Sequence, residues 1–344
     1  MVFALAHVAL SGRFWLWTLP GMLPPVTFVA IPFLLMLLAS LARGRRVRTA
    51  TASLVALLAS FPFSGVNLAA LDGAERVATN GPTLRVLSLN TDYWGQVRDG
   101  IWAEKRDRGR LLDYLRSLDA DVYLLQEHML RVDNRPQPIT DLADARAAFP
   151  GYQVVAAGTL LTLSRLPVVG HDVVHSRDEP VLQFPAPYGL RVDVQVGGRT
   201  LSTYNVHMPV QLLMEESPFS GNFYREIRER HERRSEEYRA LTADVKANRN
   251  PLLVAGDFNT SPAMGDNRAL LNATTDAAAS SGDLYPVSWR VGGQVPKLWR
   301  NDWALLGNGA RAVEYGFVDS MGNSDHAAQR LTVTLGDGRT GEDG

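Results

Sequence analysis

Five positions along this 344-residue chain carry the same kind of junction: a short apolar run beside a carboxylate, an amide or an imidazole. The clearest is L-L-V-A-G-D-F-N-T, from Leu252 to Thr260. Its four leading apolar residues read as a buried strand, and Gly256 permits a tight exit from it. Asp257 and Asn259, two residues apart, then point the same way. An anion beside an amide suits a metal ion or a polarised water next to a phosphate oxygen. Turn chemistry alone accounts for Asp, Asn and Gly at one such place. Recurrence at Asn90, at Glu127, at Asn205 with His207, and at Asp302 with Asp325 and His326 favours a site.

The intervening segments say how those endings are brought together. Strands are expected at Leu84–Leu89, Asp121–Gln126, Tyr152–Ala157, Leu160–Leu163, Leu252–Ala255, Asn301–Leu306, Phe317–Asp319 and Ala328–Leu335. Leu190–Val196 and Arg199–Tyr204 form a hairpin across Gly197-Gly198. The second half of Ile101–Leu118 reads as an amphipathic helix, and a shorter helix is expected over Asp141–Ala148. A long helix, Phe223–Lys246, carries an apolar stripe of Phe223, Ile227, Tyr238, Leu241 and Val245, with His231 on the same face. Its mixed Arg and Glu residues read as a solvated face. Residues 264–298 read mostly as loop or short helix. Strands alternating with helices and hairpins predict a layered α/β domain with one rim of strand ends as the site.

The first 70 residues are different in kind. Gly21–Leu41 and Ala50–Ala70 are apolar, and Arg43, Arg45, Arg46 and Arg48 lie between them. Two membrane spans are expected, or three if residues 2–20 form another. The Arg cluster places that turn in the cytoplasm and everything after Ala70 outside it. The expected organisation is a membrane region at 1–70, a linker at 71–82, a catalytic domain at 83–336 and a flexible tail at 337–344. Beyond residue 75 the chain holds 30 basic and 34 acidic side chains, which excludes a strongly basic nucleic-acid surface. The absence of cysteine excludes disulfides, thiolate metal sites and cysteine nucleophiles.

An oxygen-rich donor set with two imidazoles prefers Mg²⁺ or Mn²⁺ over zinc. A serine hydrolase is disfavoured because no G-x-S-x-G occurs and Ser164 lacks a strand-turn-helix elbow. A glycosidase carboxylate pair leaves the amides and histidines without roles. His128, His171, His175 and His231 read as structural or exposed, and Arg165 as either a phosphate contact or half of an ion pair.

The segments L-S-L-N (87–90), L-L-Q-E (124–127), L-S-R-L-P-V (163–168), Y-N-V-H (204–207), A-G-D-F-N (255–259), R-N-D-W (300–303) and S-D-H (324–326) resemble the endonuclease/exonuclease/phosphatase superfamily. The resemblance covers residues 83–336 and implies a deoxyribonuclease I-like fold: α/β, a two-layered β-sandwich flanked by helices, here preceded by N-terminal transmembrane helices. It implies a divalent-metal-dependent phosphoesterase. Asn90, Glu127 and Asp325 resemble the metal-binding residues, with Glu127 a direct ligand. His207 is similar to a histidine that contacts phosphate or assists proton transfer, and Asp257 to the carboxylate that positions or deprotonates water. Asn259 resembles the amide that holds a phosphate oxygen. His326 resembles the residue set against the scissile phosphate, with Asp302 orienting its ring. Asn301 departs from the pattern, which usually has an apolar residue there.

A tethered, outward-facing site favours a membrane lipid or a lipid-linked phosphate of the cell envelope as substrate. The architecture also resembles membrane proteins linked to teicoplanin resistance. Leu284, Tyr285, Trp289, Leu298, Trp299 and Trp303 suit a groove near the interface. An extracytoplasmic DNA or RNA endonuclease is the second expectation, less favoured because no basic–aromatic stripe is present. A non-enzymatic phospholipid-binding protein is the third. No protein partner is expected.

Overall fold

The computed structural model describes residues 1–41, 46–72, 81–98, 101–102, 108–133, 135–176, 186–212, 216–291 and 295–336. Twelve strands are named for the two sheets that organise the chain: β1 (Thr83–Asn90), β2 (Val122–Gln126), β3 (Gln153–Ala157), β4 (Leu160–Ser164), β5 (Val168–Val174) and β6 (Gly189–Val196). They continue with β7 (Arg199–His207), β8 (Leu252–Asp257), β9 (Thr275–Asp276), β10 (Asp302–Gly307), β11 (Ala310–Val318) and β12 (Ala328–Leu335). The first sheet runs β11-β12-β1-β2-β4-β3 and the second β9-β10-β8-β7-β6-β5.

Each sheet has one parallel pair at its centre, and these pairs bring the polar endings together. In the first, β1 and β2 put Asn90 opposite Gln126, one residue before Glu127. In the second, β7 and β8 put His207 opposite Asp257, and antiparallel β10 puts Asp302 on the other side of Asp257. Gly256 makes this register possible. Its φ is +150°, and a Cβ there would stand 1.9 Å from the Val206 carbonyl oxygen, so only glycine fits.

The sheets pack face to face through Val86, Leu124 and Leu331 on one side and Val192, Leu253 and Ala255 on the other. Outside the first sheet lie α4 (Arg108–Ser117) and α5 (Ala143–Ala148); Leu111, Leu115 and Ala145 pack there with Leu87, Leu125 and Leu161. Outside the second lies α6 (Gly221–Ala247), capped by the Ser220 hydroxyl, which accepts from the Phe223 N–H. Its Tyr238, Leu241 and Val245 pack on Tyr204, Val206 and Val254. The arrangement is the expected helix-flanked β-sandwich.

Several local expectations are corrected. The helix expected in the second half of Ile101–Leu118 is found at Arg108–Ser117, while Ile101–Trp102 forms half of a two-stranded ribbon. Strand β5 was not expected, because V-V-G-H-D-V-V is an exposed sheet edge with no alternation to read. The short strand expected at Phe317–Asp319 is the end of nine-residue β11. On α6, Arg230, Arg233, Arg234 and Glu237 are buried instead of solvated, because their partners are loop carbonyls and one another.

The N-terminal segment forms α1 (Val2–Leu10), α2 (Thr27–Leu41) and α3 (Arg46–Ser60). The two long apolar runs are cut short by their prolines: α2 begins after Pro24-Pro25, and α3 ends where Pro62 makes a 3-10 turn. Each of these helices has 15 residues, roughly 22 Å, against a hydrocarbon core of about 30 Å. Among the described residues no single helix is long and apolar enough to cross a membrane. Val2–Leu10 and Trp15–Gly21 reach that length only together, across a 120° bend. The expectations for Arg43, Arg45, the linker at 73–80 and the tail at 337–344 lie outside the described residues.

This segment is fastened to the rest of the chain. The buried His7 Nε2 lies 2.7 Å from the Ala263 carbonyl oxygen, and the Ser11 hydroxyl donates to the same oxygen at 3.2 Å. Trp299 Nε1 donates to the Met22 carbonyl. Beyond the apolar helices, Asn67 Nδ2 donates to the carbonyls of Ala278, Ser281 and Asp283.

Candidate active site

All the strand ends named from the sequence, with one exception, converge at one end of the sandwich. Asn90 leaves β1 with its amide between the sheets, Nδ2 donating to Glu127 Oε1 at 3.1 Å and to Asp257 Oδ2 at 3.0 Å. Its Oδ1 accepts from the Asp92 N–H. Glu127 Oε2 accepts from the Tyr93 N–H at 3.3 Å. Asp257 Oδ2 is the hub of the site. His207 Nε2 stands 3.7 Å from it on one side and His326 Nε2 3.6 Å on the other. The other oxygen of Asp257 accepts from the Asn259 N–H at 2.8 Å. Asp302 Oδ2 is 2.8 Å from His326 Nδ1, and Asp325 Oδ1 is 3.9 Å from His326 Nε2.

Asn259 is brought to the rim, but Nδ2 donates to the Met208 carbonyl at 2.9 Å and so also braces the β7 exit. The exception is Asn205. Its fully buried amide joins the two sheets, accepting from Gln126 Nε2 at 2.7 Å and donating to the carbonyls of Leu125 and Leu161. Arg165 pairs with Asp119 and Asp121 in an exposed network, so its ion-pair reading holds. His128 is buried edge-on against Trp94, and His171 is exposed.

The electrostatics divide the site in two. Burial would lower His326, but the carboxylates of Asp302, Asp257 and Asp325 outweigh it and hold its imidazolium well above the usual range. Burial lowers His207, leaving that ring neutral. Burial also raises Asp257, against the pull of His326. On the other side, burial together with Asp325 and Glu127 pushes Asp92 up to about 8. Burial pushes Glu127 up to about 7, with Asp325 adding to the rise and the Asn90 hydrogen bond opposing it.

Asp92 is the residue that sequence reasoning missed. It stands two positions past Asn90, the spacing that relates Asp257 to Asn259, and that was the available signal. The turn it opens has three successive left-handed residues, Asp92, Tyr93 and Trp94, at φ of 47°, 60° and 51°; Glu127 is left-handed too at 56°. Non-glycine residues seldom adopt this region and keep it where the surroundings impose it. Arg234 was missed as well. Fully buried on α6, it donates to the Pro209 and Asn259 carbonyls, the Thr260 hydroxyl and Asp266, bracing the exits of β7 and β8. Trp289, read only as a groove residue, donates Nε1 to Asp325 Oδ2 at 2.8 Å. Trp303, by contrast, is buried, its Nε1 bonded to the Thr260 carbonyl.

Two groupings offer themselves for a metal. Asp257, Asp302 and His326 place ligand atoms within 4.8 Å of one another. That trio is satisfied internally, since Asp302 already holds the His326 N–H. On the other side Asp325 and Glu127 raise Asp92, Asp325 also raises Glu127, and His326 is the neighbouring cation that opposes both rises. Like-charged carboxylate oxygens beside an amide fit a hard divalent cation, so this side could also hold one.

Carboxylates held near neutrality beside a retained imidazolium suit attack on an anion, and the site is that of a phosphoester hydrolase. The model of the endonuclease/exonuclease/phosphatase family matches residues 89–326, and the chain belongs to that family, whose members hydrolyse phosphate esters with a divalent metal. Among solved structures the chain is similar to a family member from Bacteroides vulgatus, with 14% identity, 74% of this chain and 99% of that one covered, and a TM-score of 0.53. One from Beutenbergia cavernae gives 20% identity, coverages of 76% and 73%, and a TM-score of 0.52. A mannosyl-6-phosphatase from Bacteroides thetaiotaomicron gives 14%, 73% and 99%, and 0.50. These identities speak to the fold alone. No curated protein matches the chain by sequence.

Proposed function

We propose that this protein hydrolyses a lipid-linked phosphate ester at the outer face of the cell membrane, using Mg²⁺ or Mn²⁺. One observation carries the reading: the apolar N-terminal layer is docked on loops that leave the catalytic strand ends. Ala263, which His7 and Ser11 grip, is four residues past Asn259, and Trp299, bonded to Met22, packs edge-on to Trp289 at the site. Ile31, Phe33, Leu34, Leu35, Leu37 and Leu38 on α2 are about half exposed, an apolar surface that suits hydrocarbon. Docking of residues 2–21 on the catalytic loops supports two membrane-inserted segments, α2 and α3, over three. The Arg cluster between them supports a cytoplasmic tip and an outward catalytic domain, which two 15-residue helices reach only where the bilayer thins around them. The same layout agrees with the resemblance to teicoplanin-resistance membrane proteins.

The chemistry follows from the site. Asp257 receives a proton from water as the water oxygen attacks phosphorus and the ester P–O bond breaks. Asn90 and the Asn259 N–H hold Asp257 in place for this. The imidazolium of His326, oriented by Asp302, stabilises charge on the phosphoryl oxygens, and neutral His207 adds a hydrogen bond on the opposite side. Glu127, Asp92, Asp325 and Asn90 are the groups to hold the divalent ion, which supplies Lewis-acid stabilisation of the phosphate and the leaving oxygen.

The test is phosphate or head-group release by the detergent-solubilised full chain, with Mg²⁺ and with chelator. The panel holds phospholipids, polyprenyl phosphates and diphosphates, and plasmid DNA. Chelator-sensitive turnover of a lipid with DNA left intact is expected. DNA cleavage without lipid turnover would replace this reading with a nuclease, and binding without turnover would replace it with a lipid-binding protein.

A further inference from the structure

Between α1, α2 and α3 lies a groove of about 140 Å³ that the catalytic chemistry does not use. Phe3, Ala4, Leu23, Phe28, Ile31 and Ala56 form most of its wall. The Thr27 hydroxyl on the wall is already bonded to the Pro24 carbonyl. A groove lined in this way offers water few polar partners and accepts apolar groups.

Its position is what gives it meaning. Phe28 packs with Phe63 and Ala263 in one buried cluster, and Ala263 lies in the loop that starts at Asn259. Leu23 follows Met22, whose carbonyl holds Trp299; Trp299 meets Trp289 at 5.5 Å, and Trp289 holds Asp325. Two routes of contact thus join the groove wall to the phosphate site. The wall also merges with the exposed apolar face of α2 at Ile31 and Leu35, so the opening is bordered by hydrocarbon-compatible surface.

We propose that this groove seats the hydrocarbon chain of the phosphorylated lipid whose head group enters the catalytic site. The identity of the head group rests on the proposed function; the occupancy of the groove does not. An extended peptide is a poorer occupant, because it would bury backbone polar groups against a wall that offers them few partners, and a helix, roughly 10 Å across, is too wide for a groove of about 140 Å³.

Photolabelling of the full chain in detergent tests this directly. The probe is a long-chain alkyl phosphate bearing a diazirine at the chain end, with the adduct mapped by peptide sequencing. Labelling at Leu23–Leu35 or around Ala56 is expected, competed by unlabelled alkyl phosphate of the same length and not by the same concentration of the chain-free alcohol phosphate. Ala56→Phe, which fills the groove, should cut labelling at least tenfold, and Ala4→Leu, on the opposite wall, should do the same if the first variant folds poorly. In turnover, KM should fall roughly threefold to fourfold per added methylene until the groove is full. Ala56→Phe should raise KM for the long chain while leaving hydrolysis of the water-soluble bis(p-nitrophenyl) phosphate unchanged. Labelling elsewhere, labelling competed by neutral hydrocarbon alone, or labelling indifferent to both variants would overturn the proposal. Specific labelling without any hydrolysis would keep the groove and remove the enzymatic reading.

Discussion

His326 reaches Asp302 through Nδ1 at 2.8 Å while its Nε2 faces Asp257 at 3.6 Å, so a single ring spans two buried carboxylates. Asp302 faces Asp257 across a strand pair, so the backbone register itself sets this geometry. The arrangement predicts the pH profile. Because His326 is raised, its imidazolium persists through neutral pH and is lost only as pH climbs through that raised value. Activity that needs the cation is therefore present on the low side and falls on an alkaline limb. Asp302→Asn should move that limb to lower pH and reduce turnover by ~10²-fold. The pH dependence of kcat/KM for both proteins checks it; an unmoved limb would mean another group sets it.

Glu127→Gln keeps the shape of a buried side chain and removes its charge. Metal affinity and turnover should fall together, while thermal unfolding of the metal-free protein changes little or improves as repulsion with Asp92 and Asp325 is relieved. Titration calorimetry with Mg²⁺ beside a rate measurement decides this. Wild-type activity in the variant would sink the metal assignment.

Asp92 makes a separate prediction about the metal itself. Mg²⁺ at 100-fold over its Kd should stabilise the wild type by about 2.7 kcal/mol, a Tm rise of roughly 5–10 °C for a domain of this size. Asp92→Asn should shrink that rise and, without metal, should not lower Tm. Differential scanning calorimetry with and without chelator reads both quantities. An equal Mg²⁺-induced rise in both proteins would place Asp92 outside the metal site.

Arg234 braces two catalytic exits from a helix on the outer face of the second sheet. Arg234→Met should cost about 3–5 kcal/mol in stability, because Asp266 and buried carbonyls lose their cation. It should also lower kcat by displacing Asn259 and Thr260. Urea unfolding with assay of the folded fraction separates the two effects, and stability loss with unchanged kcat would make Arg234 purely structural.

Much of the site was readable because each residue flanks an apolar run, and apolar runs are what a buried strand requires: Asn90, Glu127, His207 and Asp257 close theirs, while Asp302 and His326 stand just before theirs. Asn90, Glu127, His207, Asp257, Asp302 and His326 are all placed together for that reason. Asn205 closes such a run too, yet it turns inward to join the sheets, and no pattern in Y-N-V-H separates its role from that of His207. Asp92 stayed hidden because its position depends on a left-handed turn, and T-D-Y-W carries none of the glycines that announce one. The buried arginines of α6 eluded a charge-pattern reading because i,i+4 pairing with Glu226 and Glu237 looks the same on a solvated face, and the loop carbonyls that Arg230 and Arg234 also reach leave no periodicity. The N-terminal runs were legible as apolar, but their prolines set where helices start and stop.

The grips on Ala263 from one end of the apolar helices, and of Asn67 on the 278–283 segment from the other, leave the catalytic domain no freedom to drift on a leash. With the helices in a bilayer, such a head keeps one height above the lipid plane and meets its substrate by lateral diffusion. Its rate would then follow the mole fraction of phosphorylated lipid in the leaflet, and diluting that lipid with inert lipid would slow it even where the bulk concentration stays constant.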